Sequence, residues 1–180
     1  MLEFILLGLL FEPESGYALK QRFAEGATYF WDADQSQIYR TLSRMEDKGW
    51  LRSRLEPSED GPDQRVYART PQGRRAFEVW LREDPIQAPV RLPYVAQLFL
   101  LGELEDLERT VEFLTSLRTQ LRQRRRALEG VASDFDVRSI EDFHADLALR
   151  LGLATARART EWCDDALRRT RRAMRKEPNS

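Results

Sequence analysis

Only one cysteine, Cys163, occurs in the 180 residues, so no internal disulfide can form and a disulfide-stapled extracellular scaffold is excluded. A reducing, cytoplasmic setting is the expectation. Histidine is also nearly absent. His144 stands alone, which leaves a histidine-built metal centre or a histidine-dependent catalytic triad without the partners it needs. It is read as a surface or helix-packing residue, and Cys163, beside Trp162 on an apolar stripe, as a small core or interface residue rather than a redox switch. There is no glycine-rich phosphate loop, no paired-cysteine metal pattern and no nucleophile elbow. No enzyme, cofactor or metal is therefore expected. Long hydrophobic runs are missing too, since none approaches the roughly 20 residues that span a bilayer. The apolar opening "MLEFILLGLLF" lacks a basic start and a small-residue cleavage site and is broken by Glu3, so it reads as a core helix, and no membrane partner is expected. Charge of one sign is lacking as well: 29 basic against 30 acidic residues leave a net charge of −1. Bulk charge therefore names no partner, and only its local distribution can.

What is present is enough apolar material, 42% of residues, for one fair-sized domain or two small ones, under a surface that 33% charged residues make strongly ionic. Residues 1–11 form a buried first helix that Pro13 ends. Ser15 caps a second, "SGYALKQRFAEGA", with Tyr17, Leu19 and Phe23 on the apolar side and Lys20, Gln21 and Arg22 on the wet one. After the aromatic stretch "TYFW", a third helix spans about residues 35–48, capped by Asp32 or Asp34 and stopped by Gly49, with Trp50 and Leu51 returning to the core. "LRSRLEP" and "RVYART" read as strands around the turn-rich "SEDGPDQ", and Thr70 before Pro71 opens a fourth helix. Helix, helix, helix, hairpin, helix is the winged helix-turn-helix order.

The third helix carries the chemistry. Ile38, Leu42 and Met45 must face the core, which leaves Gln37, Arg40, Thr41, Arg44 and Lys48 as one polar, mostly basic stripe with Tyr39 on its shoulder. A charged stripe is usually only a solvated face, but a hairpin following it is not something such a face requires. An α-helix fits the DNA major groove, where arginine reads guanine and glutamine reads adenine through paired hydrogen bonds. Lys20 and Arg22 on the preceding helix, with Arg65 and Arg69 on the hairpin, are the candidates for phosphate contacts.

"SGYALKQRF", "FW", "SQIYRTLSRMEDKGWL" and "GP.QRVYARTPQGRRAF..WL" resemble the winged-helix domain of the PadR-type transcriptional regulators, the phenolic acid decarboxylase repressor family, across nearly all of residues 1–81. The resemblance implies a homodimeric repressor bound to a pseudo-palindromic double-stranded DNA operator and released by a small molecule or another signal. It places Ser36, Gln37, Tyr39, Arg40, Thr41 and Arg44 on the recognition helix, Arg65 and Tyr67 at the start of the returning wing strand, and Tyr17 and Trp50 at structural positions. One departure stands out. The wing tip carries Glu56, Glu59, Asp60 and Asp63, four carboxylates that repel phosphates, where the family commonly has basic residues, so the wing is expected to act through Arg65.

Pro85, Pro89 and Pro93 mark a linker at residues 85–93 between a DNA-binding domain at 1–84 and a helical domain at 94–176, with a disordered tail at 177–180. In the helical part Leu107, Leu114, Leu121 and Leu128 recur every seven residues, with Leu104 and Val111 adding a second seam position that Arg118 and Arg125 take over later. Such a helix runs about 35–40 Å, longer than one small core covers, so it needs a partner. Ser139 and Asp142 form a capping box for the last helix, along which Ile140, Phe143, Leu147, Leu151, Ala154, Ala158 and Trp162 make an apolar stripe. This part is similar to the longer C-terminal domain of one branch of the family, a dimerisation module. The seam, with Trp162, is expected to join two chains, because paired half-site readers spaced about 34 Å apart gain affinity through effective concentration. Trp80, Tyr94 and Phe99, flanking the junction, are read as ordinary packing and not as an effector pocket, and the basic tail from Arg168 to Lys176 as a solubilising end. The expected fold is thus mainly α, a winged helix-turn-helix domain followed by an all-helical, coiled-coil-like dimerisation domain. The rival is a winged helix that has lost DNA binding and serves as a protein adaptor.

Overall fold

The computed structural model describes residues 1–26, 30–31, 33–57, 63–87 and 90–175. It divides into two units, Met1–Gln87 and Ala88–Ser180. In the first, α1 (Leu2–Leu9) precedes a two-residue strand β1 (Glu14–Ser15) and α2 (Gly16–Gly26). Then come α3 (Gln35–Asp47), the hairpin strands β2 (Leu51–Glu56) and β3 (Gln64–Arg69), and α4 (Pro71–Trp80). The three strands form an antiparallel sheet in the order β1-β3-β2, with Leu51 opposite Arg69 and Glu56 opposite Gln64. β1 has no signature in the sequence. Two residues carry no periodicity, and this pair becomes a strand only because Glu14 and Ser15 lie beside Tyr67 and Val66.

Leu6, Leu7 and Leu10 from the first helical segment, Leu19 and Phe23 from α2, and Ile38, Leu42 and Met45 from α3 close one core with Leu51 and Tyr67 from the hairpin. Ser15 Oγ accepts from Ala18 N at 3.1 Å and caps α2. Gly49, at φ 68°, supplies the left-handed turn that brings Trp50 back against the core. Thr70 Oγ1 accepts from Gly73 N at 3.0 Å and donates to Gly49 O at 2.6 Å, so a single hydroxyl starts α4 and ties it to the end of α3. Phe4 and Trp80 stack with centroids 4.9 Å apart.

Tyr17 corrects one expectation. It is 60% exposed, on the wet side of α2, where its hydroxyl accepts from Gln21 Nε2 at 3.0 Å. Leu19 and Phe23 alone reach the core, because Tyr17 lies on the other side of the helix from them.

In the second unit, α5 (Pro93–Leu100) and a 3-10 turn (Leu101–Leu104) lead to α6 (Leu107–Asp134) and α7 (Ile140–Met174). α6 and α7 fold back on each other through residues 135–139. Asp106 caps α6, and Ser139 Oγ, accepting from Asp142 N at 3.0 Å, caps α7. The Asp142 carboxylate accepts from Ser139 Oγ and Arg138 N, and these hydrogen bonds hold its pKa below the usual range.

The seam expectation needs correction. Leu114 and Leu121, together with Leu117, pack against Cys163 and Leu167 of the same chain, and Leu128 is also buried, so this seam is internal. Leu107 and Val111 are half-buried at its start, and Leu104 lies outside α6, exposed. Arg122 and Arg118 pair with Asp164 at 3.0 and 3.8 Å and flank the seam. A 3.5-residue repeat requires a facing helix without saying from which chain it comes, and α7 supplies it. Leu114→Ala should therefore lower the stability of the helical unit by about 2–5 kcal/mol, as measured by chemical denaturation. An unchanged unfolding midpoint would refute the internal seam.

Candidate nucleic-acid interface

The outer face of α3 is set by its inner one. With Ile38, Leu42 and Met45 buried, helical geometry turns Ser36, Arg40, Ser43 and Asp47 directly outward, with Gln37 and Arg44 on one flank and Tyr39 on the other. Thr41 does not belong to this face. It is 2% exposed, since its position beside Ile38 and Met45 turns it inward, and its hydroxyl accepts from Arg44 Nη2 at 3.1 Å. Ser43, which sequence reading passed over, is exposed instead. The spacing 36, 40, 43 and 47 opposite the core triad was the signal for it.

Asp34 caps the helix with a reciprocal box: its carboxylate accepts from Gln37 N at 2.7 Å, while Gln37 Oε1 accepts from Asp34 N at 3.2 Å. The other candidate cap, Asp32, lies outside the described residues. Arg40 Nε donates to Ser36 O at 3.2 Å and keeps its guanidinium along the helix. Gln37, Arg40, Ser43 and Arg44 line an open groove together with Trp31, Met1 and Leu2, and the little of Thr41 that is exposed lies there too. Lys20 Nζ donates to Gln35 Oε1 at 2.9 Å, which puts the α2 cation at the N-terminal end of α3. A Cβ on Gly16 would meet the Tyr39 ring at 2.7 Å, so glycine there lets Tyr39 lie across the start of α2. Lys48 closes the stripe by turning away, bound to Glu3 at 3.0 Å and set over the Trp50 ring.

On the hairpin, Arg65 is exposed and held. Its Nε donates to Ser53 Oγ at 2.7 Å and its Nη2 pairs with Glu46 at 3.2 Å. Tyr67, the other wing residue named from the family pattern, is 4% exposed and sits in the core, so it offers no surface to a ligand. Residues along a strand alternate between faces, but Tyr67 and Arg65 share one, and Tyr67 is taken into the core cluster while Arg65, nearer the hairpin tip, emerges. Burial pushes the Tyr67 phenol upward, against the nearby Arg65 cation. Arg22 and Arg69 are structural. Arg22 pairs with Glu14, bonds Leu9 O at 3.1 Å and covers the Phe11 ring. Arg69 lies over Phe77, its pKa lowered first by burial and then by Arg74. Of the wing-tip acids, Glu56 pairs with Arg54 and Asp63 is exposed, while Glu59 and Asp60 lie outside the described residues. Trp80 stacks on Phe4 in the first unit, Tyr94 sits 6.4 Å from Trp162 in the second, and Phe99 is exposed. Among the described residues no helix is long and apolar enough to cross a membrane.

Residues 5–79, which hold this surface, match the transcriptional regulator PadR-like family, and residues 90–171 match the virulence activator alpha C-terminal family. The first unit is thus a PadR-like transcriptional-regulator domain. Among its relatives, the negative transcriptional regulator PadR of Bacillus subtilis is 28% identical over 138 residues, covering 76% of this chain and 74% of that protein. A probable transcriptional regulator of Mycobacterium tuberculosis is 40% identical over 79 residues, covering 44% of this chain. The match spans 42% of that relative's length. The crystal structure of Bacillus subtilis PadR in complex with operator DNA superposes with a TM-score of 0.78 at 24% identity, covering 94% of this chain and 98% of that one. The Vibrio cholerae virulence activator AphA follows with 0.73 at 22% identity, over 96% and 99% of the two chains.

For this PadR-like protein the buried phenol beneath Arg65 gives a pH signature. A phenol pKa raised in the folded state contributes nothing adverse below the ordinary value of 10.0, and its stability contribution is lost as pH rises through the folded value. Wild-type stability should therefore fall relative to Tyr67→Phe above about pH 10. Denaturation of both proteins at pH 8 and pH 11 checks this, and parallel losses would place the phenol in water.

Proposed function

We propose that the protein is a homodimeric repressor that sets α3 of each subunit into successive major grooves of a pseudo-palindromic operator and leaves the DNA when a small molecule or another signal binds. The observation that carries this reading is the outward arc of α3. Ser36, Gln37, Arg40, Ser43 and Arg44 are all exposed there, and no apolar side chain interrupts them. Serine, glutamine and arginine are donors and acceptors suited to base edges. Lys20 and Arg65 flank the arc as phosphate contacts. Thr41 and Tyr67 are buried and offer it almost no surface, although Thr41 borders the groove and accepts from Arg44.

Support for the dimer comes from α7, whose apolar residues lie on two opposite sides. Leu149, Ala156, Cys163 and Leu167 face inward. Ile140, Phe143, Leu147, Leu151, Ala154, Ala158 and Trp162 remain exposed on the other side, a stripe of about 33 Å at 1.5 Å per residue. An apolar face of that length calls for a covering surface, and a second copy of α7 is self-complementary to it under two-fold symmetry. The protein acts in the cytoplasm and performs no catalysis in this reading.

The test is fluorescence anisotropy of the full chain with the duplex upstream of its own gene and a scrambled duplex at two salt concentrations. A hundredfold preference that weakens steeply in salt is expected of an operator-specific protein. Equal, weak binding would favour the adaptor reading. On the preferred duplex Arg44→Ala should cost about 1–3 kcal/mol at one base position, while Lys20→Ala weakens all sequences alike. Leu151→Arg should yield monomers at micromolar concentration by analytical ultracentrifugation with helical content intact; an unchanged dimer mass would move the interface elsewhere.

A further inference from the structure

Three elements converge on one small ring of hydrogen bonds beside the recognition helix. Glu46 leaves α3 near its C-terminal end, Ser53 sits in β2 and Arg65 in β3. Ser53 Oγ donates to Glu46 Oε1 at 2.6 Å and accepts from Arg65 Nε at 2.7 Å. Arg65 Nη2 completes the ring on Glu46, 3.2 Å from Oε2 and 3.4 Å from Oε1. The serine hydroxyl gives its one hydrogen and receives another, so its orientation is determined from both sides. The Tyr67 ring lies 5.8 Å from the guanidinium carbon and supports it from within.

The ring is asymmetric in exposure. The Glu46 side chain is 20% exposed and that of Arg65 58%, so the carboxylate lies inside and the guanidinium outside. A guanidinium has five N–H donors in a rigid fork, and this one spends Nε and one hydrogen of Nη2 on the ring. Among the described residues the remaining donors have no hydrogen-bond partner and point to an acceptor arriving from solvent. A free arginine on a hairpin must be ordered when it binds, whereas this one is ordered when the protein folds.

On the reading that α3 and the hairpin bind DNA, we infer that Glu46 and Ser53 are positioning residues that preset Arg65 as a phosphate contact and fasten the wing to the recognition helix. The charges make this inference testable by sign. Glu46 is a carboxylate close to a surface that meets phosphates, so as a mere charge it opposes DNA binding, and Glu46→Gln would tighten it. As a positioning residue it assists binding, and the same substitution weakens it even though the protein becomes more positive. A purely structural role of this half-buried pair would show as a lowered unfolding midpoint and predicts no such inversion in DNA binding.

The experiment titrates the full chain against the upstream and scrambled duplexes across a salt series, comparing wild type, Glu46→Gln, Arg65→Gln and the double variant, with thermal unfolding of each as a control on folding. Glu46→Gln is expected to bind both duplexes several-fold more weakly, with a salt slope reduced by about 0.9, the share of one phosphate. In the Arg65→Gln background Glu46→Gln should no longer weaken binding. Ser53→Ala, which alters no charge, should act in the same direction as Glu46→Gln. Equal or tighter binding by Glu46→Gln, or the same loss with and without Arg65, would overturn the inference while leaving the DNA-binding reading in place. Absence of salt-dependent binding by the wild type to either duplex would overturn both.

Discussion

Burial of Ile38, Leu42 and Met45 is the constraint on which the rest of the first unit depends. A helix is a rigid cylinder, so fixing one arc in a core assigns every other position its direction. α1, α2 and the hairpin close over that arc, and the outward residues are then whatever the sequence has placed opposite. The same core explains why two residues of suitable type drop out. Thr41 lies on the shoulder of the buried arc and is taken inside, and Tyr67 lends its ring to the floor of the core while Arg65, two residues earlier, emerges beside α3. The caps reinforce this geometry. Asp34 and Gln37 hold one end of α3, and Thr70 ties the start of α4 to the turn at the other.

In the second unit the organising fact is that α7 is apolar on both sides. The inward residues complete the leucine seam of α6 within the chain, and Cys163 takes its place there as a small core residue. Its thiol donates to Leu114 O at 3.4 Å, and burial pushes its pKa up, away from thiolate chemistry. The outward residues are left over. α7 thus carries two apolar stripes, of which α6 covers one, and the proposed dimer is what would cover the other.

Much of the fold was legible because it rests on local chemistry. Pro71 after Thr70, Gly49 after the last turn of α3 and Ser139 ahead of α7 each act within a few residues of the chain and stand where the pattern put them, and of the two candidate caps for α3 the structure shows Asp34 in place. What escaped notice was non-local. β1 exists only beside β3. Arg65 read as the wing's phosphate contact, but its tie through Ser53 to Glu46 of another element left no mark in the sequence. Tyr17 carries an aromatic ring that pattern assigns to a core, yet its side of α2 faces water.

By itself, then, the sequence determined the longer elements apart from β1 and α5, most of their caps, the core triad of α3 and the presence of two apolar stripes in the helical part, because periodicity and capping are properties of neighbouring residues. Only the tertiary structure decided which stripe is covered by the chain's own helix and which remains outside. It alone decided that Thr41 and Tyr67 are buried, and that Glu46, Ser53 and Arg65 form one ring. These outcomes depend on contacts between residues distant in the chain, whose geometry exists only after the packing of whole elements has been settled.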